Sequence, residues 1–201
     1  VTHPEIDYYT NQKKNAIAPK ITDKAKTALL LAEKTALRMK AGYVGTEHIL
    51  VGLLKEKTGV AARVLTEDGA KEDKILEMIR ELISPEANVV LKEKEGYSPR
   101  AQAVLEEAHR QADRFQAEET GTEHILLALL KEGENVAVRL LNTMGISVPK
   151  LYADTLIAMG EDGNLYKEDL GKRQGKRSKN ASTLEQYSRD LTALAAEGAL
   201  D

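Results

Sequence analysis

From Thr22 onward, small and apolar side chains recur at Ala25, Ala28, Leu29, Ala32 and Ala36, the three-and-four spacing of one helical face, with Thr22 as the N-cap. The same pattern returns at Ala101, Val104, Leu105, Ala108, Ala112 and Phe115, behind Ser98 as a cap and Pro99 at the first helical position. A second helix is predicted from Ile49, Leu50, Leu53 and Leu54, and again from Ile125, Leu126, Leu129 and Leu130, a grouping that presses one face into a core. A third carries Val60, Ala61, Val64 and Leu65, matched by Val136, Ala137, Leu140 and Leu141, and stops at Gly69 or Gly145 as the C-cap. A fourth runs through Ile75, Leu76, Met78, Ile79, Leu82 and Ile83; its counterpart begins after Pro149 and covers Leu151 to Met159. The pattern predicts an all-α fold of eight helices in two four-helix repeats, 21–84 and 97–160, with Ser84 to Gly96 as the connection. A repeat of roughly 70 residues buries little core alone, so the two are expected to pack as one domain, 21–160, about a pseudo-twofold axis.

The repetition extends to identity. Ile21 to Ala70 reappears without a gap as Tyr97 to Ile146, 76 residues later, and 21 of 50 positions are the same residue. Gly45-Thr46-Glu47-His48-Ile49-Leu50 recurs unbroken as Gly121-Thr122-Glu123-His124-Ile125-Leu126. A duplication of this kind builds two similar sites, so function is to be sought in pairs of residues. The flanks do not repeat. Residues 1–20 are polar and aperiodic and read as a mobile extension, whereas 161–181 are rich in glycine and charge and read as a linker. Residues 182–201 regain some helical pattern and read as the threshold of another domain.

Composition narrows this picture. Aromatic residues make up 4% of the chain, with no Trp and one Phe, so the core must be aliphatic. The absence of cysteine excludes disulfide and thiolate chemistry and agrees with a reducing compartment. No apolar run approaches the ~20 residues that span a bilayer, and Val1-Thr2-His3-Pro4-Glu5 lacks the layout of a secretory signal. The expectation is a cytoplasmic protein without a membrane partner. A formal net charge of −3 provides no general attraction to nucleic acid.

The repeated Gly-Thr-Glu-His admits three readings. In the structural one, Gly45 and Gly121 turn the chain with positive φ, Thr46 and Thr122 cap a helix, Glu47 and Glu123 favour its positive end, and His48 and His124 pack beneath. A metal or general-base reading fails on spacing, because a helical zinc pair needs His four residues apart and the fourth residue beyond each His is Gly52 or Ala128. With no Cys and no nucleophile elbow, no catalytic residue is expected. The Gly-Lys pairs at 171 and 175 precede Arg instead of Ser or Thr, which argues against a phosphate-binding loop for ATP. The third reading is ligand capture: free N–H groups at the helix starts at Thr22 and Ser98 favour an anion, and Glu47 or Glu123 offers a carboxylate to a cation. Lys24 and Arg100 match each other and assist the anion, while Pro99 removes one N–H from the second site, so the two sites need not bind equally.

The paired Gly-Thr-Glu-His-Ile-Leu runs, each followed by Leu-Leu-Lys-Glu, make Ile21 to about Met159 resemble the double Clp N-terminal domain of Hsp100/Clp unfoldases, of the ClpC type. Ser182-Thr183-Leu184, Arg189 to Ala193 and Glu197 to Asp201 resemble the lead-in to that family's first AAA+ ATPase module. The resemblance implies a recognition domain that is itself neither ATPase nor enzyme, ATP and Mg belonging to modules beyond this sequence. It implies adaptor partners of the MecA kind, unfolded or arginine-phosphorylated substrates, and a ClpP-type protease reached through the rest of the parent protein. It further implies that Glu47 and Glu123 engage the guanidinium of phosphoarginine, with the phosphate near Thr22 and Ser98. Adaptor docking without a small-ligand site is one alternative, and a metal-dependent enzyme that brings together Glu47, His48, Glu123 and His124 from both copies is the other. The long extension from Val1 to Lys20 departs from the family pattern.

Overall fold

A computed structural model of the chain describes residues 20–82 and 96–171. The expected extension up to residue 19, the connection over 83–95, and the linker and lead-in from 172 onward lie outside the described residues. Eight helices follow one another: α1 (Asp23–Arg38), α2 (Thr46–Glu56), α3 (Val60–Glu67), α4 (Glu72–Leu82), α5 (Pro99–Arg114), α6 (Thr122–Glu132), α7 (Val136–Thr143) and α8 (Val148–Ala158). The chain divides after Gly163, and in the second unit residues 165–171 form a short helix inside the stretch read as linker.

Local chemistry explains the helix ends. The Thr22 hydroxyl accepts from the Ala25 N–H and the Ser98 hydroxyl from the Ala101 N–H, each at 3.1 Å, so α1 and α5 start where the caps predict. Gly69 and Gly145 take φ of +104° and +82° one residue beyond the caps of α3 and α7, a conformation that disfavours a side chain. Three expectations need correction. The N-caps of α2 and α6 are Gly45 and Gly121, with Thr46 and Thr122 at the first helical position. Those two glycines have φ of −102° and −107°, extended backbone open to any residue, so positive φ is not their reason for being glycine. Lastly, α8 begins at Val148, before Pro149, because the Ser147 hydroxyl caps it by accepting from the Lys150 N–H at 3.2 Å.

The two repeats pack crosswise. Within each repeat the first two helices form a hairpin, α1 on α2 and α5 on α6, and α2 and α6 meet at the centre. α2 also packs on α7, and α6 on α3, so each repeat's second helix holds the other repeat's third. Backbone bonds make the same exchange. The Thr22 N–H donates to the Thr120 carbonyl at 3.0 Å and the Thr120 N–H to the Lys20 carbonyl at 2.7 Å. At the matched positions, the Ser98 N–H donates to the Val44 carbonyl and the Val44 N–H to the Gly96 carbonyl, both at 2.9 Å. These two isolated parallel bridges, Ile21 with Thr120 and Val44 with Tyr97, are one contact repeated by a pseudo-twofold axis. The core between the halves is aliphatic: Ile49, Leu50, Leu53, Leu65, Ile125, Leu126, Leu129 and Leu141 are all buried. Burial of such side chains contributes about 1.5–3 kcal/mol each, which a single repeat could not collect alone.

Candidate functional site

The crossing decides which residues meet. The start of α2 faces the starts of α5 and α7, so the Glu47 region of the first repeat opens onto Ser98 of the second. Together they line a cleft of about 640 Å³, walled by Tyr43, Gly45 and Glu47 on one side and by Ser98, Arg100 and Arg139 on the other. The matched residues meet in the same way. Thr22 is bonded to Thr120, and the Ala61 N–H at the start of α3 donates to the Thr122 hydroxyl at 3.3 Å. Its equivalent, the Ala137 N–H donating to the Thr46 hydroxyl, is also 3.3 Å. Thus Glu47 lines one cleft with Ser98, and the matched bonds bring the segment before Glu123 beside the helix start capped by Thr22, each arrangement composed from both repeats. Pairing within a repeat, Glu47 with Thr22 and Glu123 with Ser98, is not what the fold makes.

Each signature residue has a distinct place. Thr46 and Thr122 are buried and tie the halves together through their hydroxyls, as above. His48 Nδ1 accepts the Gly45 N–H, and His124 Nδ1 the Gly121 N–H, both at 2.9 Å, the one half of a capping box that a glycine N-cap allows. Burial pushes the His48 imidazole down to about 4 and lowers His124 as well, the latter opposed by the charge of Glu123. A neutral ring accepting at Nδ1 carries its proton at Nε2, which leaves neither nitrogen a lone pair for a metal. Among the described residues no three His, Asp or Glu side chains are grouped to hold one.

Glu47 is the unusual member. It is 3% exposed, and burial raises its pKa against the opposing hydrogen bonds from its own backbone N–H and from Tyr43. The Tyr43 hydroxyl donates to Glu47 Oε2 at 3.4 Å, and burial first, then the carboxylate, push Tyr43 up to about 12. The carboxylate folds back over its own N-cap: a Cβ on Gly45 would lie 2.5 Å from Glu47 Oε1 and 2.8 Å from the Tyr43 ring. On Gly121 it would lie 2.7 Å from Glu123 Oε1. At Gly45 the buried acid and the Tyr43 ring crowd out a Cβ, whereas at Gly121 the near atoms all belong to the end of the flexible Glu123 side chain. Glu123 is half-buried.

At the opposite wall, Lys24 and Arg100 are engaged within their own repeats. Lys24 Nζ donates to the Thr58 carbonyl at 3.2 Å, and Arg100 donates to the matched Glu134 carbonyl at 2.6 Å and to Glu132 at 2.9 Å. They brace the loop before α3 or α7 and bring positive charge to the rim. Arg139, exposed on α7 and lining the cleft, is a basic residue that the motif reading passed over, as is its equivalent Arg63. Arginine at both matched positions is the signal that could have found them.

A buried acid, a helix start and two arginines thus line one cleft, in a fold that other proteins share. The Clp repeat (R) N-terminal domain matches the chain over residues 20–144 and again over 96–194. The chain belongs to the Clp N-terminal repeat family. Among curated relatives, the ATP-dependent Clp protease ATP-binding subunit ClpC of Staphylococcus epidermidis is 36% identical over 185 residues, 90% of this chain and 22% of the relative. ClpC of Staphylococcus aureus strain USA300 is 36% identical over 182 residues, with the same coverage. The chain therefore spans 22% of the length of these relatives. The N-terminal domain of the chaperone ClpD from Arabidopsis thaliana superposes with a TM-score of 0.60 at 22% identity, over 70% of this chain and 97% of that one. The N-domain of ClpV from Vibrio cholerae gives 0.58 at 21% identity, over 81% and 93%. These Clp N-domains share the all-α fold seen here. No helix among the described residues is long and apolar enough to cross a membrane.

Proposed function

We propose that this Clp N-terminal repeat domain is the substrate- and adaptor-recognition part of a ClpC-type unfoldase that feeds a ClpP-type protease. On this reading the domain catalyses nothing itself; ATP and Mg act in ATPase modules of a longer parent, for which 182–201 is the lead-in. Its two clefts receive phosphoarginine on marked proteins, and its outer surface docks adaptors of the MecA kind. The observation that supports this most is the crossed pairing of a glutamate with a helix start, the buried Glu47 with Ser98 and the half-buried Glu123 with Thr22. A guanidinium satisfies a carboxylate through two parallel N–H···O bonds, and a phosphate suits the free N–H groups and positive end of a helix. Phosphoarginine carries both within one short side chain.

Calorimetric titration with free phosphoarginine tests the reading, with unmodified arginine as control. Saturable binding near two equivalents, lost in the Glu47→Ala/Glu123→Ala double variant, is expected. A well-folded protein that binds no phosphoarginine but still captures an adaptor would replace it with the adaptor-docking function alone.

A further inference from the structure

The cleft at Glu47 and the matched region at Glu123, called here the second cleft, share one backbone plan but differ in the residues around them. Around Glu47 stand Tyr43, Pro99 and Asn135. The positions matched to these are Glu119, Asp23 and Gly59. Three differences bear on a ligand with a planar cation and an anion.

The first is aromatic. The Tyr43 ring stands beside the Glu47 carboxylate, near enough that both flank the missing Cβ of Gly45. A guanidinium paired with Glu47 therefore comes beside an aromatic ring, whereas the matched Glu119 is an exposed carboxylate with no ring. The second is hydration. Glu47 is desolvated by the fold before any ligand arrives, so its ion pair forms in a low dielectric without a further cost of drying the acid. Half-buried Glu123 keeps more water, which screens the same pair. The third lies at the anion end. Asp23 occupies the first turn of α1 and brings a negative charge to the place a phosphate would take; Pro99 forfeits one N–H there but adds no charge. Lys26, matched to Gln102, returns one positive charge to the second cleft, but it is exposed and therefore screened.

We infer that the clefts are unequal: the one built by Glu47, Tyr43 and Ser98 is the tight receptor for a phosphorylated guanidinium, the one built by Glu123 and Thr22 is a weak one, and Tyr43 sets most of the difference. This rests on the phosphoarginine reading above. A marked protein then engages the first cleft at low concentration, and the second only when two marks lie close enough to bridge both.

The test is titration of the chain with free phosphoarginine in the wild type and in Glu47→Gln, Glu123→Gln, Tyr43→Glu and Glu119→Tyr, each checked for native helicity by circular dichroism. Gln in place of Glu47 keeps the shape of the buried side chain, so loss of binding is separable from loss of fold. Two affinities differing about tenfold are expected, the tighter abolished by Glu47→Gln and untouched by Glu123→Gln. Tyr43→Glu should weaken the tight site several-fold, and Glu119→Tyr should strengthen the weak one. Two equal affinities, or a tight site that survives Glu47→Gln, would overturn the inequality and leave the recognition function standing. Absence of binding in every folded variant would instead overturn the function on which the inequality rests.

Discussion

The hairpin of α1 on α2 and its copy, α5 on α6, come from one pattern yet pack differently. At the level of Gly52, α1 approaches so closely that a Cβ there would lie 2.1 Å from the Ala28 carbonyl oxygen and 2.9 Å from the Ala32 nitrogen. The matched residue in α6 is Ala128, whose methyl is accommodated and fully buried. A duplicated fold thus preserves the interface between its halves while each half adjusts its own helix spacing. The crossing contacts, such as Ala61 to Thr122 and Ala137 to Thr46, are the same length in both copies, because they serve the pseudo-twofold and cannot drift independently.

The largest effect should come from forcing the two hairpins to be alike. Gly52→Ala places a methyl against backbone that cannot swing away, and should lower stability by about 3 kcal/mol. The reverse change, Ala128→Gly, removes one methyl and some helix propensity and should cost about 1 kcal/mol. Urea unfolding of the two variants measures both, and equal costs would show that the spacing difference is not real.

A somewhat smaller contrast lies in the capping histidines. Burial holds His48 at about 4 in the folded protein against an ordinary 6.5. The unfolded chain therefore binds the extra proton between those values. The stability contributed by keeping the ring neutral is complete above pH 6.5 and is lost as pH falls toward 4. Between pH 7 and 4.5 the loss should be about 2 kcal/mol. Glu47 works in the opposite sense, since its raised pKa favours the folded state as pH drops, so the His48 share has to be read as a difference. His48→Gln keeps an acceptor at the capping-box position and should flatten the pH dependence of urea unfolding relative to wild type. His124→Gln should flatten it less, because the charge of Glu123 partly offsets the burial that depresses His124. An unaltered slope in His48→Gln would show that the ring titrates normally in the fold.

What was legible in the sequence follows the range of the interaction. Thr22 and Ser98 as caps, Pro99 at the first helical turn and Gly69 and Gly145 beyond the helix ends involve neighbours within a few residues, and the pattern displays them directly. The duplication also predicted the pseudo-twofold. It could not say that Glu47 meets Ser98 instead of Thr22, because that depends on contacts tens of residues apart that leave no periodic trace. The same limit hides the role of Gly45. Its reason is the carboxylate of Glu47 lying over it, a side-chain position that spacing alone does not encode.

The smallest contrast is at the ends of α2 and α6. Lys57 and Gly133 occupy matched positions with nearly the same left-handed φ, 71° and 74°, and each ends its helix in the αL conformation. A side chain in that conformation is strained by roughly 1 kcal/mol, and glycine is relieved of it, although glycine also enlarges the freedom of the unfolded chain. The strain is the larger quantity here, since the fold dictates the conformation at both positions. Lys57→Gly should therefore raise the unfolding free energy by about 0.5–1 kcal/mol, and Gly133→Lys should lower it by a similar amount. Lys57 also lies two residues before Gly59, at the loop that Lys24 braces through the Thr58 carbonyl. A stabilising Lys57→Gly that leaves phosphoarginine affinity unchanged would show the helix ends to be interchangeable between the copies. A destabilising one would mean that the Lys57 side chain makes a contribution outweighing its backbone strain, and the two repeats would then differ in how they end α2 and α6 as well as in how they pack them.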